Sequence, residues 1–222
     1  MEVPSQDLRE AVLRKVAAEP SSVRRDVRRT NWCLALMAVG LMVAEFLLVG
    51  GIREWGAPRP LSLLVGTALG TAALAAPAAW LAAARGRSSL GRPAGLLLCV
   101  ALATPAAVFV WKTLYTSLFD SGLADWPDRF GNKCLAISFT MGTIALVAWV
   151  YAKRGSDPVH PRILGAALGV AAGAAAAMLV DLWCPVGHPR HVAYGHILPM
   201  LLLGAFGLLL GARFLDLRSR RP

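Results

Sequence analysis

From residue 31 onwards the chain alternates between long apolar runs and short polar stretches rich in Arg, Gly and Pro. The first run covers 31–52, NWCLALMAVGLMVAEFLLVGGI, and carries one charge, Glu45. Others follow at 61–84, 93–111, 134–152, 163–182 and 197–214, the last with Arg213 at its very end. About 20 residues rising 1.5 Å each cross a 30 Å hydrocarbon core. A segment in lipid must also satisfy its own backbone, so each run is predicted to be a transmembrane helix. The fold class expected is an all-α integral membrane protein with six spans. The first run follows thirty mostly polar residues and lacks a convincing small-residue cleavage site, so it is expected to stay as a helix rather than be removed as a signal peptide.

Composition agrees with this pattern. Of 222 residues, 56% are apolar and only 16% charged, with a mean hydropathy of +0.55. A soluble domain is about a quarter charged, and six apolar helices in so short a chain exceed what soluble structure can bury. A conventional soluble enzyme is excluded on that ground, and a disordered chain by its need for low hydrophobicity.

The net charge of +10 looks at first like a signal for nucleic acid. Placing the 23 Lys and Arg residues removes it. Seventeen fall in the N-terminal segment, the second and fourth loops and the C-terminal tail, against six in the other three loops. The richer side is cytoplasmic by the positive-inside rule, so both termini are predicted inside. The basic residues there would meet lipid headgroups, and no direct nucleic-acid binding is expected. The chain thus divides into a head, 1–30, a transmembrane domain, 31–214, and a basic tail, 215–222.

Small residues recur every fourth position: Gly165, Gly169, Gly173 and Ala177 in the fifth run, Gly66 and Gly70 in the second, Gly207 and Gly211 in the sixth. Such stripes let helix backbones approach closely in lipid. Packing within the bundle is the favoured reading, ahead of a dimer interface. Pro77 and Pro105 fall inside the second and third runs as potential kinks.

Chemistry-bearing residues are few. The sequence contains no G-x-S-x-G, Walker A or H-E-x-x-H motif, so no catalytic residues and no cofactor are assigned. Glu45 and Asp181 are the acidic residues within or at the edge of a run. Glu45 is read equally as a coupling carboxyl or as a bonded residue facing the bundle. Cys134 opens the fourth run and Cys184 just follows the fifth, both on the side predicted to be outside. An antiparallel hairpin of those two helices brings the cysteines level at its open end. Three readings of the pair stand together: a structural disulfide or plain thiols, a redox or signal sensor, and a metal site. For the last, Cys184, His188 and His191 in Cys-Pro-Val-Gly-His-Pro-Arg-His are weak candidates, with Cys134 as a further ligand and His196 a little beyond.

In the head, Leu8, Val12 and Val16 follow i, i+4 spacing with Leu13 alongside. Pro20 ends that helix, and Ser21 or Ser22 is placed to cap a second one holding Val23 and Val27. An amphipathic helix this short is marginal alone in water. It is expected to lie on the membrane surface or in a partner's groove.

Taken together, these features resemble the NrsF-type family of bacterial membrane anti-sigma factors, among which CarR-type regulators of light-induced carotenoid genes look like members. The resemblance rests on the short head, the six runs, Cys134, the stretch Asp157 to Gly173 (DPVHPRILGAALGVAAG), and Leu-Trp-Cys-Pro at 182–185. It is clearest from Cys134 to the end. It implies a multi-pass protein of the bacterial inner membrane that holds an extracytoplasmic-function sigma factor through Leu8, Val12, Leu13 and Val16. Cys134 and Cys184 would then form the outer sensor of an envelope, redox or light-type stress. A membrane protein partner or a protease would serve in signalling. Rival readings are a small membrane transporter or lipid-modifying protein, against which the scarcity of buried ionisable groups counts, and a non-catalytic assembly subunit.

Overall fold

A computed structural model describes residues 10, 21–49, 60–83, 92–119, 131–154, 158–184 and 186–215. Among them the chain forms helices and no strand: α1 (Ser21–Leu48), α2 (Leu61–Ala83), α3 (Ala94–Thr116), α4 (Asn132–Ala152), α5 (Pro161–Asp181) and α6 (Pro189–Leu215). Helices α2 to α6 are each long and apolar enough to cross a membrane. The apolar part of α1 is shorter, Cys33–Leu48, and residues 50–52 of the first run lie outside the described residues.

Helix α1 begins at Ser21, so the second head helix expected there is no separate element. No proline interrupts Ser21–Leu48, and the charged stretch therefore continues straight into the apolar one. The head residues Leu8, Val12, Leu13 and Val16 lie outside the described residues.

Helix α5 is the central element. Of its apolar window 72% is buried, against 28–39% for the other long helices, and it packs on α2, α3, α4 and α6. Its glycine stripe meets that of α6, which runs antiparallel to it. A Cβ on Gly165 would lie 2.0 Å from the Gly207 carbonyl oxygen, and one on Gly169 2.0 Å from that of Leu203. The second stripe is filled differently: Gly66 and Gly70 receive the rings of Tyr115 and Trp111 from α3. These stripes therefore serve packing inside the bundle. Pro77 and Pro105 sit within unbroken helices.

Helix α1 packs chiefly along α4 at the edge of the bundle. It buries Ala38, Met42 and Phe46 at four-residue spacing while Leu36, Leu41 and Leu48 face outward. Glu45, on the same helix, is met by the hydroxyl of Thr140 in α4.

Candidate functional site

The site forms where α3 ends, α4 begins and α5 turns into α6. Helix α5 stops at Asp181 because Pro185 disfavours helical backbone at Cys184 before it. The connection back to α6 folds into the bundle: Cys184, Val186 and Gly187 are buried, and Gly187 presses on the Thr116 side chain of α3. Non-helical backbone at this depth is tolerated where protein surrounds it. Pro189 then starts α6 at the position that suits proline, and His188 Nδ1 accepts from the Arg190 amide at 3.3 Å.

Helix α6 carries a π segment, Ala193–Ile197, one turn before Pro199. In a regular α-helix the Pro199 ring would collide with the carbonyl four residues back, and the wider π turn relieves that crowding. This turn also decides where the imidazoles point. Residues five apart in an α-helix lie about 140° from each other, whereas i→i+5 bonding returns them to nearly one face. His191 and His196 accordingly come together, their ring centroids 5.6 Å apart.

Two glycines let the partners close in. Gly131, before α4, has φ 103°, backbone that only glycine adopts without strain, and a Cβ there would lie 3.3 Å from His191 Nδ1. A Cβ on Gly195 would lie 3.1 Å from that of Cys134.

The result is a buried group of four, Cys134, Cys184, His191 and His196, whose ligand atoms all lie within 4.8 Å of one another. Both cysteines are free thiols, and Cys184 Sγ lies 3.1 Å from His191 Nε2. The structure thus brings Cys134, Cys184 and His191 together. It adds His196 and leaves out His188, which caps α6 instead. Cys33 and Cys99 are exposed and stand apart from the group.

Behind the four lies a polar cluster. Lys112 pairs with Asp181, and both are at most 1% exposed. Thr71 donates to Asp181 Oδ2 at 2.6 Å. His196 joins the two groups: its Nδ1 is 3.0 Å from Lys112 Nζ and 3.3 Å from Asp181 Oδ1. Its Nε2 is buried with no hydrogen-bond partner. The third apolar run ends at Trp111, which places Lys112 in the loop that follows. In the structure α3 continues to Thr116 and Lys112 is buried. The signal lay in Lys-Thr-Leu-Tyr-Thr, where small and apolar residues extend the helical pattern by another turn. Thr71 gave no signal, since its role depends on which helices are neighbours.

Among the described residues, five long apolar helices with a buried thiol and imidazole cluster are those of a polytopic helical membrane protein, and the sequence carries no recognisable catalytic motif. The chain matches the family model described as NrsF, negative regulator of sigma F, over residues 16–216, and it belongs to that family. Its class of action is therefore negative regulation of a sigma factor, and a sigma factor is its partner. Comparison with curated proteins and with solved structures finds no match.

Proposed function

We propose that this chain is a membrane-bound anti-sigma factor of the bacterial inner membrane, with six spans and both termini in the cytoplasm. Its N-terminal segment sequesters an extracytoplasmic-function sigma factor, and an envelope, redox or light-type stress releases it. The observation that carries this reading is the family match, which begins at residue 16 within the head and runs through the bundle. The charge asymmetry supports the orientation, and the i, i+4 pattern of Leu8, Val12 and Val16, with Leu13, supports the head as the binding surface.

Cys134 and Cys184 are the sensor in this reading. A route from them to the head follows from contiguity. Cys134 lies in the first turn of α4, Thr140 of the same helix meets Glu45 of α1, and α1 continues unbroken from that contact back to Ser21. A change at the thiols that shifts α4 would bear on α1 and so on the head.

Capture of the sigma factor tests the proposal. The full-length chain in detergent is expected to co-purify with one extracytoplasmic-function sigma factor of its own cell. Each buried apolar anchor contributes about 1.5 kcal/mol or more. Leu8→Asp, Val12→Asp and Val16→Asp together should therefore weaken capture by about 1,000-fold or more. Undiminished capture by the triple variant would sink the head assignment. In cells, Cys134→Ser is expected to alter induction by the natural signal; an unchanged response removes the cysteines from the sensor.

A further inference from the structure

We propose that Cys134, Cys184, His191 and His196 form a closed four-coordinate site for a borderline-soft divalent cation, with zinc the ion that the ligand set matches. This goes beyond sigma-factor regulation and does not depend on it.

The donor set comes first. Two thiols and two imidazoles, each offering one ligand atom within 4.8 Å of the others, are the residue types and the number that tetrahedral zinc takes. Calcium and magnesium are bound by oxygen ligands, and none of these four residues supplies one. The four are contributed by α4 (Cys134), by the turn after α5 (Cys184) and by α6 (His191 and His196). The ion would therefore tie three separate parts of the bundle together.

Burial is the second argument. All four residues are at most 6% exposed, so they leave no open position for water or substrate. That is the mark of a structural or regulatory site rather than a catalytic one. Two thiolates balance the charge of a divalent cation, and the neighbouring Lys112 and Asp181 balance each other. The loaded site is then neutral, as burial in an apolar bundle requires.

The third is the unpartnered Nε2 of His196. An orphaned buried ring nitrogen costs free energy, and here it belongs to a residue of the four-ligand group. Metal bound at Nε2 needs the proton on Nδ1, which then donates to Asp181 Oδ1 at 3.3 Å in place of accepting from Lys112 Nζ at 3.0 Å. A carboxylate behind a metal-bound histidine is the arrangement that fixes the ring and strengthens the ligand. Asp181 is thus a positioning residue for His196.

A disulfide accounts for less. It would use the two sulfurs and leave His196 Nε2 where it is. It would also leave unused the two imidazoles that the π turn and the two glycines bring up to the thiols.

The experiment uses the full-length chain purified in detergent without chelator, with bound metal measured by mass spectrometry. About one equivalent of zinc per chain is expected. After chelation, cobalt(II) should restore about one equivalent and give the intense visible bands of a tetrahedral thiolate site. Cys134→Ser and His196→Ala should abolish that spectrum, Asp181→Asn should weaken cobalt affinity by about 10- to 100-fold, and His188→Ala should leave it unchanged. Circular dichroism and a monodisperse elution profile identify variants that remain folded. Absence of metal with no tetrahedral cobalt spectrum overturns the site, and so does a spectrum that survives in folded Cys134→Ser and His196→Ala chains. Sigma-factor capture is read separately, so failure of either proposal leaves the other standing.

Discussion

Replacing Asp181 with Leu is expected to cost about 3–5 kcal/mol of stability, because it strands the Lys112 ammonium inside the bundle. Both side chains are at most 1% exposed, and neither reaches water to recover what the partner supplied. Thr71 loses its acceptor in the same step, and His196 keeps only the lysine beside Nδ1. Lys112→Met should be similarly damaging, since it leaves the carboxylate buried with Thr71 and His196 as its remaining partners. The informative variant is the double change, Lys112→Met with Asp181→Leu. Removing both charges together leaves no orphaned ion, so it should lie closer to the parent than either single change. Denaturant titration of the detergent-purified chain, followed by circular dichroism, reads all three. Single effects below about 1 kcal/mol that simply add in the double variant would show that this pair does not hold the site.

Much of the bundle was legible from hydropathy alone, and the reasons mark where legibility ends. An apolar run of about 20 residues has few alternatives to a helix, which is why the runs at 61–84 and 163–182 correspond closely to α2 and α5. The same reasoning stops at the first polar residue. It therefore ended the third run at Trp111 and began the sixth at Ile197, whereas α3 continues to Thr116 and α6 starts at Pro189. Lys112, His191 and His196 all lie in those extensions. Polar residues that pair across helices look like loop residues when each helix is read by itself. The cysteines were singled out because their chemistry is scarce in the chain, and a hairpin was enough to set them level. Selecting His196 over His188 required the π turn, which no hydrophobic period encodes. The pairing of Asp181 with Lys112 and Thr71 required knowing that α5 lies against both α2 and α3.

The second large effect is expected from Gly169→Val, and it links the helix stripe to the site. A Cβ on Gly169 would lie 2.0 Å from the Leu203 carbonyl oxygen and 3.0 Å from Gly204 Cα. These are backbone atoms of α6, so no side chain can swing aside, and the two helices must separate. Overpacking a tight contact costs about 1–3 kcal/mol and occasionally more. A β-branched residue against backbone belongs at the top of that range, about 3 kcal/mol. Gly40→Ala supplies the opposite sign on the same chemistry. Nothing lies within 4 Å of a Cβ there, and α1 should gain about 0.5–1 kcal/mol from the lost glycine. If general intolerance of glycine replacement were the cause, both variants would be damaged. If close backbone approach is the cause, only Gly169→Val is. The displaced helix is also the one that carries His191 and His196, with Gly195 pressed against Cys134. Gly169→Val should therefore lose tetrahedral cobalt binding along with stability, although Gly169 touches none of the four ligands. Retention of a full cobalt spectrum in a destabilised Gly169→Val chain would show that the α5–α6 contact does not set the position of the imidazoles.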